Sequence, residues 1–113
     1  MVRWLAPLVT RQYDICRNPD RASKGRVPYL VVLQADLLQP LGTVLVAPVV
    51  PERPSNTIAK LNPVIEISGK RYRASMPDLA GVPRSRVGQV VVANVAGQHS
   101  EFVAAIDLLF TGI

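Results

Sequence analysis

The sequence predicts a mostly β fold that ends in one α-helix, and three observations support this. Ten prolines are spread over 113 residues, and each removes a backbone donor and restricts the residue before it, so long helices are excluded over most of the chain. Six short segments have the alternating or β-branched composition of strands. Only the last segment has apolar residues at helical spacing. Short strands in a proline-rich chain favour a small barrel or two packed sheets.

The length and the composition indicate one folded domain. A chain of 113 residues has room for a single core, and a hydrophobic content of 49% is enough to repay the entropy of folding. We assign residues 12–113 to this domain. Residues 1–11 are predicted to be an N-terminal extension, for which disorder is one expectation. Their apolar run is broken by Pro7 and stops at Arg11, short of a signal peptide.

Cysteine content and charge indicate the setting in which the protein works. Cys16 is the single cysteine and cannot form an internal disulfide, so the fold needs no oxidising compartment. The longest apolar stretches, Thr43–Pro51 and Val90–Ala96, are far shorter than the roughly 18 residues of a membrane span. We therefore expect a soluble, cytoplasmic protein. Its formal charge of +5 favours acidic partners, which include nucleic acid, acidic peptides and anionic surfaces.

Three strands are predicted in the first half of the chain. Alternation marks the first, a continuous Leu-Val-Val-Leu core marks the second as buried on both faces, and a β-branched run marks the third. Prolines at the end of the third strand predict that it ends at a sheet edge. A basic loop follows the first strand and a long connection follows the third. The strands are Gln12–Arg17, Tyr29–Gln34 and Thr43–Val50, and the loops are Arg21–Arg26 and Pro51–Leu61.

The second half contains the clearest local signal, a hairpin over Val64–Ala74. Two alternating runs are joined there across Ser68-Gly69-Lys70, a tight connection that contains glycine. Pro77 favours one helical turn after the hairpin, and Gln89–Val95 has the composition of the last strand. The sequence therefore predicts three strands in this half as well.

The period changes to that of a helix at the C-terminal end. Ser100 is the predicted N-cap and Gly112 the predicted left-handed stop. Among the apolar residues, core positions are predicted at Phe102, Ile106 and Leu109, and the role of Phe110 is left open. Chain ends are usually polar, whereas this one finishes on Ile113, which favours a contact with a partner.

Residue types that carry catalysis or bind metals are few and scattered. His99 stands where the helix begins, so a capping or solvent role is favoured, although a Ser-His-Asp triad stays open because its members need not be neighbours in sequence. The single cysteine and single histidine do not form the spaced ligand pairs of a zinc site. No phosphate-binding glycine loop occurs, and the carboxylates have no spacing of an acid/base pair. We predict no catalytic residue, no metal and no cofactor.

Basic residues concentrate in the loop Arg17–Arg26 and in the segment Lys70–Arg73, with Arg84 and Arg86 further along. They could line a nucleic-acid groove. Solvated loops are the favoured interpretation, because only Tyr13, Tyr29 and Tyr72 offer base stacking nearby. An acidic protein segment is the other credible ligand.

Several ordered segments carry a family resemblance. Tyr13-Asp14-Ile15 and Asn18-Pro19 are followed by Gln34–Leu38 and by Pro48-Val-Val-Pro51. More specific are the later segments, which are Leu61–Tyr72, Leu79–Pro83 and Ala104–Ile113. In this order and spacing, from about Gln12 to the end, the chain resembles the CcdB family, the toxin half of the plasmid and chromosomal addiction pairs that poison DNA gyrase.

The resemblance implies an SH3-like small barrel of antiparallel strands with a C-terminal helix. It also implies a homodimer, with the two helices near the two-fold axis, that binds the gyrase A subunit and traps the covalent DNA-cleavage state without catalysis of its own. Through the antitoxin complex or gyrase, DNA would be contacted only indirectly. The gyrase-binding residues implied by the motif match are Leu37, Leu38, Asp107, Phe110, Thr111, Gly112 and Ile113.

The resemblance further implies an antitoxin whose disordered tail folds onto the toxin. A chain with a charge of +5 suits an acidic partner that becomes ordered on binding. We expect the antitoxin contact at the loop with Arg21, Lys24 and Arg26. The family assignment and the charge thus point to two different binding surfaces on one small domain.

Two alternatives stay open. The best-known toxic members have tryptophan where Thr111 stands and asparagine where Ala104 stands, so one alternative is a homologue that binds antitoxin without killing. The other is a ribonuclease toxin of the MazF/Kid type, which has a related barrel and would use Arg84 or Arg86. The characteristic opening strand and Arg-Pro segment of that type are not found here.

Overall fold

The computed structural model describes residues 10–56, 58 and 60–112. Of the predicted extension, residues 1–9 lie outside the described residues. Thr10 is buried, and its carbonyl accepts a hydrogen bond of 3.0 Å from the Gln39 side chain. In chain order the elements are β1 (Asp14–Arg17), β2 (Tyr29–Val32), β3 (Thr43–Pro51), β4 (Val64–Ile67), β5 (Lys70–Ala74), β6 (Ala80–Pro83), β7 (Val91–Asn94) and α1 (His99–Thr111).

The strands form one antiparallel sheet in the order β4-β5-β3-β2-β1-β7, and β6 also pairs with β3. Nine residues make β3 long enough to pair with β6 at its start and with β5 at its end. The result is a half-barrel sheet with one C-terminal helix, which confirms the predicted fold class. No helix in the described part of the chain has the length and apolar content needed to cross a membrane.

The hairpin β4–β5 forms as predicted. Ser68 and Gly69 have φ values of 51° and 80°, and two consecutive positive φ values are those of a type I′ turn, whose twist matches the flanking strands. Lys70 is already paired with Ile67 across the ladder. The local sequence is therefore sufficient to determine this hairpin.

The prediction that the third strand ends at a sheet edge is wrong. Val49 pairs with Tyr29 of β2 on one side and with Ala74 of β5 on the other, so β3 is central. Pro48 is tolerated because its backbone faces the gap between β5 and β6, where its carbonyl accepts a hydrogen bond of 2.8 Å from the Ser75 amide. The donor that proline lacks would point to the same side, outside both ladders.

One strand was missed. The predicted helical turn forms over Met76–Asp78, with Pro77 near its start, but the next four residues form β6. Gly81 and Pro83 weaken the strand signal of this segment. Pairing with Thr43–Val46 of β3 supplies what local propensity does not.

The terminal helix begins one residue before the predicted N-cap. Ser100 lies inside α1, and Gln98 occupies the N-cap position without a side-chain capping bond, so the predicted cap is wrong. A 3₁₀ turn, Ala96–Gln98, leads directly into α1, and the Gln98 side chain donates instead to the Val64 carbonyl of β4 at 2.6 Å. Gly112 ends the helix at φ 75°, as predicted, with its amide 2.9 Å from the Leu108 carbonyl.

Apolar residues are buried on both faces of the sheet. Phe102 of α1 is fully buried, with its ring centroid 5.3 Å from that of Tyr13, and Ile106 packs against the same cluster. This agrees with the core positions predicted at Phe102 and Ile106, whereas Leu109, the third, is only partly buried. A second, smaller cluster contains Cys16, Val32, Val44, Val46 and Val87.

One cation on the hairpin β4–β5 is buried. Arg73 on β5 is only 7% exposed and is balanced by the Glu52 carboxylate at 2.8 Å and by the Asn62 carbonyl at 2.9 Å. Arg71 adds a second ion pair to the same carboxylate at 3.0 Å. Glu52 therefore anchors the end of β3 to the hairpin.

Candidate functional site

Two predicted contact residues, Leu37 and Leu38, lie in the connection between β2 and β3. We call residues 36–42 the leucine turn. Leu37 is 87% exposed, and Leu38 and Leu41 are each exposed to about half. Three exposed leucines in one short segment mark a candidate contact surface, because monomeric soluble proteins rarely leave such groups in water. Leu41 is a further candidate that sequence reasoning missed, since a single leucine between Pro40 and Gly42 belongs to no periodic pattern.

The end of α1 holds the other predicted contact residues. Phe110 is 70% exposed, and Asp107, Thr111 and Gly112 are exposed as well. The Thr111 hydroxyl donates to the Asp107 carbonyl at 2.6 Å, so the position held by tryptophan in the best-known members is turned back onto the helix. Ile113, also predicted here, lies outside the described residues.

The two apolar surfaces are supported separately. Within the described residues, the hydrogen bonds that involve side chains link the leucine turn to Thr10, Gln12, Gln34 and Arg84, whereas that of the helix end stays within α1. No described hydrogen bond or ion pair joins one surface to the other. The expectation that Leu37 and Leu38 lie beside the helix end therefore remains a prediction.

The predicted antitoxin-contact residues lie in the connection between β1 and β2. Arg21, Lys24 and Arg26 are exposed, and among the described residues none of them forms an ion pair. Side-chain hydrogen bonds order this basic loop: Asn18 donates to the Val27 carbonyl at 2.8 Å, and the Ser23 hydroxyl donates to Asp20 at 2.7 Å. The Ser23 hydroxyl, followed by the Ala22 amide, lowers the pKa of the Asp20 carboxyl. The loop thus presents three free cations on an ordered backbone.

A groove with a volume of about 640 Å³ adjoins the basic loop. Its walls come from the basic loop, from β3 and from the segments around Asn56 and Pro77. Arg26 and Arg53 stand beside an apolar lining, which includes Val27, Pro48, Val50, Leu61 and Pro77. One carboxylate, Asp78, also lines the groove and accepts a hydrogen bond of 2.6 Å from the Ser75 hydroxyl. Two arginines against one carboxylate leave the groove with apolar surface and an excess of positive charge, which suits an acidic segment that carries apolar side chains.

The residues considered for catalysis have structural partners. His99, predicted to cap the helix or face solvent, accepts or donates a hydrogen bond of 2.6 Å between Nδ1 and the Tyr13 hydroxyl, and the two rings meet edge to face. Cys16 is buried on β1, where burial and the charge of Asp14 raise the pKa of its thiol to about 11. A protonated thiol is a poor nucleophile. Among the described residues, no three His, Cys, Asp or Glu side chains converge on one point.

An exposed apolar edge was also missed. Val90, Val91 and Val92 are exposed, and β7 is the last strand of the sheet order, paired only with β1 among the described strands. The valine run is visible in the sequence, but only the strand order shows that it lies at an edge. An unpaired apolar edge strand is a ready template for a further strand.

Similar solved structures share this fold and are named as toxins. "Mycobacterium tuberculosis toxin MazF-mt6" has a TM-score of 0.65 at 17% identity, over 88% of this chain and 96% of that chain. "Crystal structure of Mtb toxin" has a TM-score of 0.61 at 17% identity, over 73% of this chain and 91% of that one. At these identities the likeness shows the fold alone. The fold class is thus that of the small half-barrel.

A match in sequence identifies the family of this chain. The family described as "CcdB protein" matches residues 12–112, nearly the whole length. The chain belongs to the CcdB family, whose members are toxins of toxin–antitoxin pairs. This confirms the resemblance drawn from the ordered motifs.

Proposed function

We propose that the protein is a toxin that binds the DNA gyrase A subunit as a homodimer and traps the gyrase–DNA cleavage complex. A cognate antitoxin of CcdA type neutralises it, and both interactions take place in the cytoplasm. The observation that carries the proposal is the exposed apolar end of α1, with Phe110 in water on the last turn, in a member of this family. The protein acts by binding and performs no catalytic step.

The proposed mechanism is selective binding to one state of gyrase. A ligand that binds the cleaved state more tightly than the resealed state shifts the population toward cleavage. Exposed aromatic and aliphatic side chains on a rigid helix end are suited to such a contact, because they bury large apolar area at small entropic cost. Phe110, together with Gly112 and Ile113, is the proposed anchor, and the leucine turn supplies Leu37 and Leu38.

Homodimerisation is proposed through the open edge of β7. The exposed valines of this strand, with the half-exposed Val103 of α1, would be buried between two copies. Antiparallel pairing across a two-fold axis satisfies the edge of each β7 with the other.

Antitoxin binding is proposed at the basic loop and the neighbouring groove. The three free cations, Arg21, Lys24 and Arg26, attract an acidic disordered segment, and the apolar lining of the groove receives its hydrophobic side chains. Ordering of this partner on binding costs conformational entropy, which apolar burial and charge pairing together offset.

The ribonuclease alternative is less well supported by the arginines on which it depended. The Arg84 guanidinium already donates to the Leu41 carbonyl at 2.9 Å, so it is engaged with the chain's own backbone. Arg86 is exposed, but a lone exposed arginine does not make a catalytic site. RNA incubated with the purified protein is expected to stay intact.

The test is an assay for gyrase–DNA cleavage complexes with purified gyrase and plasmid DNA. Wild-type protein should produce complexes, whereas Phe110→Ala and a chain lacking Gly112-Ile113 should lose them by about tenfold or more, as expected for a buried anchor. Ile58→Ala is the matched control, because Ile58 is similarly exposed but lies in the connection between β3 and β4, where it lines the groove.

The outcome also separates the non-toxic alternative. If the wild-type protein yields no cleavage complexes but binds the acidic product of a neighbouring upstream reading frame, the homologue binds antitoxin only and gyrase poisoning is overturned. Complexes that persist without Gly112-Ile113 and without the Phe110 ring would move the contact away from the helix end.

A further inference from the structure

The leucine turn is held by a side chain that lies 42 residues or more further along the chain. Arg84 Nε donates to the Leu41 carbonyl at 2.9 Å, and the Arg84 backbone amide donates to the Gly42 carbonyl at 2.9 Å. A third contact, from Nη2 to the Leu38 carbonyl, is longer at 3.4 Å and therefore weaker. One arginine thus donates to three carbonyls of the turn, those of Leu38, Leu41 and Gly42.

The strand register explains why Arg84 reaches the turn. β6 pairs with β3 so that Pro83 lies opposite Thr43, the first residue of β3. The residue after Pro83 then lies next to the residue before Thr43, which is Gly42. Arg84 is partly buried at this point. The forked donors of its guanidinium can bond more than one carbonyl of the turn.

Other contacts complete the support of the turn. Gln34 donates to the Thr43 carbonyl at 3.1 Å and accepts from the Leu45 amide at 3.2 Å. The Gln12 amide donates to the Asp36 carboxylate at 2.8 Å. The Gln12 bond fixes the first residue of the leucine turn and the Gln34 bonds fix the start of β3 directly after it, whereas Arg84 reaches the middle and the last residues of the turn.

An exposed apolar turn would ordinarily be mobile, because it has no core contacts to order it. Here the backbone is fixed while the leucine side chains stay in water. A contact surface that is ordered before binding avoids part of the entropic cost of association, and a hydrogen bond from a charged donor is stronger than a neutral one.

We propose that Arg84 is a positioning residue, which fixes the leucine turn in one conformation so that Leu37, Leu38 and Leu41 meet the partner as a preformed surface. This inference rests on the proposed function, in which the leucine turn contacts the gyrase A subunit. It assigns Arg84 a role that involves no contact with gyrase, and it adds Leu41 to the contact surface.

The first measurement needs no partner. Amide hydrogen exchange is followed in the full-length protein for Leu38, Gln39 and Leu41, whose amides donate to the carbonyls of Ala35, Asp36 and Leu38 at 3.0 to 3.1 Å. Arg84→Ala should accelerate exchange at these amides by about tenfold, the equivalent of one lost hydrogen bond to a charged group, and leave the hairpin β4–β5 unchanged. Arg84→Lys should have an intermediate effect, because lysine keeps the charge but not the forked donors.

The second measurement is affinity for the purified gyrase A subunit. Arg84→Ala should weaken binding by about tenfold and Arg84→Lys by less. Leu37→Ala should weaken binding without changing exchange in the turn, which separates a contact residue from a positioning residue. The control is Arg86→Ala, which removes the same charge at an exposed position of the 3₁₀ turn Arg84–Arg86 that directly follows β6.

Two results would overturn the inference. Exchange rates in Arg84→Ala that equal those in Arg86→Ala would show that Arg84 does not hold the turn. Faster exchange with unchanged gyrase affinity would show that the ordered turn does not serve binding. A wild-type protein that does not bind the gyrase A subunit overturns the proposed function instead, and the exchange rates then decide the conformational role of Arg84 by themselves.

Discussion

At the scale of single residues, the fold depends on a few polar groups in apolar surroundings. Glu52 joins two arginines, one of them buried, and the paired arginines lower the pKa of its carboxyl, with Arg71 the larger cause. Tyr13 adopts a φ of 69° directly before β1, and a hydrogen bond joins its hydroxyl to His99 Nδ1. Both residues connect segments that are distant in sequence, which is why neither contact could be predicted from its neighbours.

The Glu52 cluster predicts a pH-dependent stability. Because the carboxyl's pKa is lower in the folded chain, ionised Glu52 stabilises the fold above its ordinary pKa of about 4.3, and this stabilisation is lost as the pH falls through the folded value. Glu52→Gln should therefore unfold at lower urea concentration than wild type at neutral pH, and the difference should narrow in acid. Urea unfolding at several pH values measures this.

The matched control is Glu66→Gln, which removes the same charge at an exposed strand position. Its effect on the urea midpoint at neutral pH should be much smaller, because among the described residues Glu66 forms no ion pair. A gap between wild type and Glu52→Gln that keeps the same size from neutral pH to about pH 3 would contradict the role given to the carboxylate.

At the scale of elements, α1 serves two surfaces at once. Its inner face packs Phe102 and Ala105 into the core, while its last turn leaves Phe110 in water. Substitutions on the exposed last turn of α1 can therefore alter the contact surface without disturbing the core. Gly112, in the left-handed conformation, then ends the helix.

The division of α1 predicts that its two phenylalanines contribute very differently to the free energy of unfolding. Phe102→Ala should lower the free energy of unfolding by about 3–5 kcal/mol, because it removes a fully buried ring. Phe110→Ala should change it by no more than about 0.5 kcal/mol, since the ring is mostly exposed. Thermal or urea unfolding of the two variants compares them directly. A large destabilisation by Phe110→Ala would mean that this ring belongs to the core.

At the scale of the whole molecule, the half-barrel has two end strands in unlike surroundings. The edge of β4 receives a hydrogen bond from Gln98, whose side chain bonds the Val64 carbonyl. The edge of β7 has no such cover among the described residues, and its valines are exposed. For the proposed homodimer, this asymmetry favours β7 as the interface.

The open edge of β7 predicts that the protein forms a dimer. A charge introduced at this edge should disrupt that dimer. Light scattering should give wild-type protein twice the chain mass of 12.3 kDa, and Val91→Glu should give the single mass, because two glutamates near a two-fold axis repel each other and bury poorly. Ile58→Glu places the same charge at an exposed apolar residue elsewhere and should leave the dimer intact. A dimer that survives Val91→Glu would exclude this edge as the interface.

Much of this protein could be predicted from the sequence alone, because some of its elements are determined locally. The hairpin follows from alternation around Ser68-Gly69, and α1 follows from helical spacing that ends at Gly112. Ordered motifs over most of the chain indicated the family and, with it, candidate residues on the helix end and the basic loop. For these features, neighbouring residues carry enough information.

The remaining features depended on tertiary structure, because they arise between distant segments. Pairing with β3 makes a strand of Ala80–Pro83, and strands on both sides make β3 central despite its prolines. The same register brings Arg84 to the leucine turn, where it orders a surface that the sequence shows only as three leucines. Local propensity cannot encode a hydrogen bond whose two ends lie more than forty residues apart, so the order of that surface was decided by the fold.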